Sequence, residues 1–189
     1  MKRIAIFASG SGTNAEQIIR HFKNNGKAIT EVVLTNNPRA VVIERAKNLH
    51  TPSFIFSKED FYGSDKIEKL LQRLQIDLIV LAGFLWLVPE SLIKKYSGKI
   101  INIHPALLPQ HGGKGFYGAK VHESVIKSGD KKSGITIHFV NEKFDEGKII
   151  FQATCDIDVN ETAETLAAKI HNLEHEHYPK VIEKILDQQ

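Results

Sequence analysis

The sequence predicts an α/β fold, a doubly wound and mostly parallel sheet with a mixed C-terminal extension, and three observations carry that reading. Through residues 1–100, short apolar runs alternate with stretches of helical periodicity, the order that needs crossover connections between parallel strands. A glycine-rich turn, Ser9-Gly10-Ser11-Gly12-Thr13-Asn14, joins the first apolar run to the first helical pattern. Polar, chemistry-bearing residues follow later apolar runs, where such sheets bind ligands beyond the carboxyl ends of their strands. This arrangement is Rossmann-like.

Ile4-Ala5-Ile6-Phe7-Ala8 makes the first strand, and Ile18, Ile19 and Phe22 give a helix over 14–25 its apolar face. The alternation continues with strand 29–35, helix 40–49, strand 53–56, helix 65–74, strand 78–82, helix 89–96 and strand 100–103. Lys99-Ile100-Ile101 reads as the end of a buried strand, and Pro105 stops the ladder because it has no N–H to donate. A loop over 105–118 precedes a helix at Ala119–Ser128, strands at 135–140 and 149–153, and a last helix from about residue 162 to about residue 186. With no repeat, low-complexity tract or linker in view, residues 1–189 read as a single domain.

Composition narrows the class of protein. With 42% hydrophobic and 25% charged residues, the chain is able to bury a full core. Twenty-five basic against 22 acidic residues leave a net charge of +3, too little for general polyanion affinity, and residues 127–132 read as a solvated turn rather than a nucleic-acid patch. The lone Cys155 excludes an intrachain disulfide framework. The first apolar run is broken by Ser9 and Gly10, and no apolar stretch approaches the roughly twenty residues of a membrane span. The expectation is a cytoplasmic enzyme with no nucleic-acid or membrane partner.

The most informative stretch is Asn102-Ile103-His104-Pro105-Ala106-Leu107-Leu108-Pro109. Positions i and i+2 of a strand share a side, so Asn102 and His104 emerge together where the strand ends. An amide donor beside a titratable ring suits reactions in which a carbonyl oxygen gains negative charge while an amine loses protons. Downstream, the strand Ile135-Thr136-Ile137-His138-Phe139-Val140 leads to a turn carrying Asp145 and Gly147, which brings a carboxylate within reach of the imidazole to orient it and stabilise its protonated form. The plainer alternative makes Asn102 and His104 a turn former and a packed histidine. The glycine-rich turn offers backbone N–H groups to a single phosphate, for it lacks both the third glycine of a dinucleotide site and the Gly-Lys-Ser/Thr of a P-loop. Its alternative is a tight turn capped by Thr13 or Asn14 with no ligand.

These residues resemble the phosphoribosylglycinamide formyltransferase family, folate-dependent enzymes of purine synthesis. The resemblance runs nearly the whole chain through Ser9-Gly10-Ser11-Gly12-Thr13-Asn14, Leu81-Ala82-Gly83-Phe84-Leu85, the Asn102 to Pro109 motif and Phe144-Asp145-Glu146-Gly147. The last two motifs also occur in methionyl-tRNA formyltransferase and formyltetrahydrofolate hydrolase, which carry an extra domain that 189 residues leave no room for. The family implies the formyltransferase fold, 10-formyltetrahydrofolate as co-substrate, glycinamide ribonucleotide as acceptor, no metal, and a monomer or homodimer. Another formyl-folate enzyme, a hydrolase or a nucleotide-sugar amine formyltransferase, is the alternative.

By resemblance, His104, Asn102 and Asp145 are catalytic, with Asp145 raising the pKa of His104. Gly12, Thr13 and Asn14 hold the nucleotide phosphate, Gly10 and Ser11 shape that loop, and Glu174 steers the amine. Lys58, Leu85, Trp86, Leu87, Val88, Asn102 and Val140 border the folate. Residues 1–100 thus form a nucleotide- and phosphate-binding half, and 101–189 a catalytic and folate-binding half. Trp86 stands where many relatives have arginine, so stacking or packing replaces an ionic contact there, and Glu146 replaces a common second glycine. Four glycines in Gln110-His111-Gly112-Gly113-Lys114-Gly115-Phe116-Tyr117-Gly118 suit a mobile loop, from which Lys114 faces solvent or approaches the phosphate. His171 and His175 have metal-ligand spacing but no second cluster, which favours solvated or capping roles over zinc. His138 supports Asp145, faces the folate or packs within its strand.

Overall fold

The computed structural model describes residues 1–188. Seven strands, β1 (Lys2–Phe7), β2 (Ala28–Thr35), β3 (Ser53–Ile55), β4 (Leu78–Leu81), β5 (Ile100–His104), β6 (Lys132–Phe139) and β7 (Ile149–Asp156), form one sheet in the order β3-β2-β1-β4-β5-β6-β7. The pairs from β3 to β5 are parallel, while β6 and β7 add antiparallel. The predicted sheet, with its mixed extension, is therefore present.

Helices α1 (Thr13–Asn25), α2 (Val42–Asn48), α3 (Lys66–Arg73), α4 (Glu90–Lys95), α5 (Ala119–Ser128) and α6 (Ala163–Asp187) divide between the two faces. Alternate residues of a strand point to opposite sides, and β1 shows it. Ile4 and Ile6 pack in a core with Ile18 and Phe22 of α1, Val125 of α5 and Ile170 of α6. Ala5 and Phe7 join a second core with Leu71 of α3, Leu92 of α4, Phe56 and Phe61. Burial on both faces explains why these strands read as continuous apolar runs.

Two local devices set the ends that matter. Helix α1 stops at Gly26, whose φ of 67° is left-handed and whose N–H reaches Phe22 O at 3.0 Å, the geometry glycine adopts without strain. Helix α6 starts with a reciprocal cap between Thr162 and Thr165. Its fully buried Tyr178 donates to Leu81 O at 2.9 Å, pinning the end of β4.

The structure corrects some sequence-based boundaries. Strand β6 begins at Lys132 and ends at Phe139, and β7 runs to Asp156, because Lys132 and Asp156 pair in register although neither carries an apolar signal. One π-helical turn, Glu59–Gly63, occupies a stretch with no predicted element. It seats Phe61 in the second core while Glu59 and Asp60 stay on the polar side.

Candidate active site

The strand order reverses between β1 and β4, and the loops leaving β1, β4 and β5 open there into one cavity of about 760 Å³. Every sequence-predicted site residue lines it except Lys58.

At one end β5 presents Asn102 and His104 on one side, as their spacing predicted. Asp145 arrives from the β6–β7 loop in a left-handed conformation, φ 57°, which aspartate tolerates better than most residues. Gly147 follows because a Cβ there would lie 1.6 Å from Phe139 O. His104 Nδ1 is 3.5 Å from Asp145 Oδ2, and Asn102 Nδ2 donates to Asp145 Oδ1 at 3.4 Å. His138 contributes as well: its Nδ1 donates to Phe139 O at 2.9 Å, so Nε2 is the nitrogen facing Asn102 Nδ2 at 3.2 Å and Asp145 Oδ1 at 3.6 Å. His138 is buried in β6, lines the cavity and stands beside Asp145, so its contacts are compatible with all three readings open for it.

The electrostatics depart from expectation in one respect. His104 is only 3% exposed, and this burial pushes its pKa below the ordinary histidine value, outweighing the opposing pull of Asp145. Asp145 does act upward on His104, yet the net direction is down. Burial pushes Asp145 up in turn, but the neighbouring His138 and His104 and the Gly113 N–H together hold its carboxyl below the usual range.

At the other end, Gly12 is the N-cap of α1 at φ 74°, with no side-chain cap. Neither Thr13 nor Asn14 closes the turn, which leaves first-turn N–H groups directed at the cavity. Gly12 also lies against α2, since a Cβ there would meet Val42 Cγ2 at 2.3 Å. Arg45 secures the loop, with Nε donating to Ser11 O at 2.9 Å while its guanidinium pairs with Glu16. Asn14 turns instead to Glu174, Nδ2 donating to Oε2 at 3.0 Å across 160 residues of sequence. Glu174 is 4% exposed, and the same Oε2 takes His171 Nδ1 at 2.9 Å, a hydrogen bond that raises the pKa of His171. Both of these hydrogen bonds fall on one carboxylate oxygen of Glu174, which lines the cavity.

Between these ends, Trp86 packs rather than projects: its ring is 5.9 Å from Phe56, 6.0 Å from Phe61 and 5.9 Å from Tyr62, centroid to centroid. The Lys58 ammonium lies 5.8 Å over the Trp86 ring, outside the cavity lining. Leu85 and Leu87 are exposed, whereas the Val88 side chain belongs to the second core. Val140 borders the cavity, and Lys114 stands exposed at its wall. Ser9, absent from the predicted set, links two loops: its hydroxyl donates to Asn36 Oδ1 at 2.7 Å and accepts Leu85 N–H at 3.1 Å. Buried His122 also lines the cavity. Ser9 opens the glycine-rich motif without a role of its own being legible there, and nothing local in the sequence marks His122. Among the described residues no group of three or more His, Cys, Asp or Glu is placed to hold a metal, and no helix is long and apolar enough to cross a membrane.

Comparison with known proteins agrees with this fold. A model of the formyl transferase family matches residues 2–182. Phosphoribosylglycinamide formyltransferase of Bacillus subtilis strain 168 is 40% identical over 98% of this chain and 95% of its own. The chain belongs to the phosphoribosylglycinamide formyltransferase family. The chloroplastic enzyme of that name from Vigna unguiculata is 38% identical over 99% of this chain, which spans 62% of that longer protein. Among solved structures, phosphoribosylglycinamide formyltransferase from Anaplasma phagocytophilum superposes with a TM-score of 0.91 at 33% identity, covering 98% of this chain and 87% of that one. The Bacillus halodurans enzyme does so at 0.87 and 40% identity, covering 98% and 95%. The family also implies a formyl-folate co-substrate.

Proposed function

We propose that this protein transfers the formyl group of 10-formyltetrahydrofolate to the primary amine of glycinamide ribonucleotide, giving N-formylglycinamide ribonucleotide and tetrahydrofolate, as a cytoplasmic enzyme of purine synthesis. The observation that carries the reading is a single cavity holding Asn102, His104 and Asp145 at one end and the Gly12 loop with Glu174 at the other.

In this reading Gly12, Thr13 and Asn14 hold the nucleotide phosphate on the N–H groups of α1, with Gly10 and Ser11 setting the loop's path. The Glu174 carboxylate accepts from the amino end of the nucleotide, and residues 85–88 with Val140 border the folate. The amine nitrogen attacks the formyl carbon, and the carbonyl oxygen becomes negative as a tetrahedral centre forms. Asn102 donates to that oxygen. His104, kept neutral by burial before substrate arrives, takes up the amine's proton at Nδ1 through Asp145 or an intervening water, and its imidazolium is stabilised by Asp145 on Nδ1 and the His111 carbonyl on Nε2. Collapse re-forms the carbonyl, breaks the bond to folate N10, and returns the proton to N10. The net proton movement is from the attacking nitrogen to the leaving one, so no redox change occurs. The chain works as one domain in which residues 1–100 supply the phosphate site and 101–189 the catalytic groups.

Incubation with 10-formyltetrahydrofolate and glycinamide ribonucleotide, following both products against a no-acceptor control, tests this. Formylated product that requires the amine is expected. Equal tetrahydrofolate release in the control would make the protein a hydrolase, and turnover only with sugar amines would change the acceptor.

A further inference from the structure

The loop after β5 contacts both members of the His104–Asp145 pair through its backbone. His104 Nε2 lies 2.8 Å from His111 O, and Gly113 N–H donates to Asp145 Oδ2 at 3.0 Å. A carbonyl oxygen only accepts, so Nε2 carries a hydrogen whether or not the ring is charged. The nitrogen left to exchange a proton is Nδ1, on the Asp145 side.

Residues 111–113 lie outside any helix or strand, with glycines at 112, 113 and 115, so their backbone needs an anchor. The His111 ring provides one. Its Nδ1 lies 2.9 Å from Ser124 Oγ on α5, and its Nε2 lies 2.7 Å from Asp130 Oδ2 in the turn between α5 and β6. Both ring nitrogens are thus engaged while the His111 main chain sits at φ 53°, a left-handed conformation uncommon outside glycine.

We propose that His111 is a positioning residue for formyl transfer: fastened to Ser124 and Asp130, its ring holds its own carbonyl against His104 Nε2 and keeps His104 in the tautomer whose Nδ1 faces Asp145. The inference rests on reading His104 as the acid/base group. In this tautomer a proton arriving at Nδ1 is stabilised by Asp145 and can leave from the same nitrogen. In the opposite tautomer Nδ1 already carries hydrogen, and the unprotonated Nε2 is turned toward the His111 carbonyl, away from any proton source.

The test combines a substrate-free measurement with kinetics. Long-range proton–nitrogen spectra of the nitrogen-15-labelled protein near pH 8 report the His104 tautomer, and steady-state rates give kcat and KM. Asp130→Ala removes the ring's charged partner, His111→Ala removes the ring, and His111→Gln keeps a side-chain N–H that can reach Asp130. The Nε2–H form is expected in the unaltered protein, and a mixture in Asp130→Ala and His111→Ala. With the mixture, kcat falls by about ten- to a hundredfold while KM moves by less than about twofold. His111→Gln recovers most of the rate. An Asp130→Ala variant that is pure Nε2–H with unchanged kcat, or a loss confined to KM, overturns the proposal. Should His111→Ala fail to fold by circular dichroism, Asp130→Ala on its turn makes the same decision. Absence of amine-dependent transfer in the unaltered protein defeats the functional reading instead, and the spectra still decide whether His111 sets the tautomer.

Discussion

At the β1–α1 end of the cavity the groups offered to a ligand are backbone N–H donors around Gly12, whereas at the β5 end they are the side chains of Asn102, His104 and Asp145, drawn from β5 and the β6–β7 loop. The first end is a backbone turn held by one neighbouring element: α2 supplies Val42, against which the left-handed Gly12 is wedged, and Arg45, which holds Ser11 O. The second is assembled from three segments, because the imidazole and the carboxylate meet only when β5, the β6–β7 loop and the 109–118 loop are all in place. Backbone-built sites bind, and their failure is felt as affinity or stability. Side-chain-built acid/base sites turn over, and their failure is felt as rate.

The sharpest way to test that contrast is His104→Ala, expected to lower kcat by about a hundred- to ten-thousandfold with KM for both substrates nearly unchanged. A loss confined to KM would move His104 to the binding side of the comparison. Asp145→Asn keeps the size but removes the charge, so a smaller fall in kcat, about ten- to a hundredfold, is expected in the same assay.

At the other end the signature should invert. Glu174→Gln removes a charged acceptor and is expected to raise KM for the amine substrate by about tenfold with little change in kcat. Gly12→Ala forces a Cβ onto Val42 from a left-handed backbone, so a loss of about 1–3 kcal/mol in urea-unfolding stability should accompany a raised KM. A normal unfolding midpoint in that variant would mean the loop is less constrained than its contacts imply.

The smallest effect concerns pH. The folded-state pKa of His104 is depressed, so the unfolded chain binds its proton more readily. The corresponding stability is present above the ordinary histidine pKa and is lost as pH falls through it. His104→Gln should therefore lose less stability than the unaltered protein between neutral and mildly acidic pH, measured by urea unfolding; identical losses would show that burial does not penalise the charged ring.

Much of this was legible in the sequence because it is local. The helix Ala119–Ser128 is legible in the sequence, and the structure ends it at Gly129, an αL cap. The beginning of β6 is not legible there, because Lys132, Ser133 and Gly134 become strand only by pairing with Asp156, Cys155 and Thr154. Lys58, assigned to the folate by resemblance, lies with its ammonium over the ring of Trp86, a contact between positions 28 residues apart that no local pattern announces.

The sequence by itself determined the strand–helix alternation, the glycine turn at the head of α1, and the shared side of Asn102 and His104, since each follows from residues a few positions apart. Only the tertiary structure decided that Glu174 answers Asn14, that Ser9 ties two loops together, that His111 braces His104, and that burial outweighs Asp145 in setting the imidazole's charge. The reason is physical. Backbone geometry and hydrophobic period are properties of neighbours in the chain, whereas desolvation and hydrogen-bond partners depend on everything that packs around a group, whatever its distance in sequence.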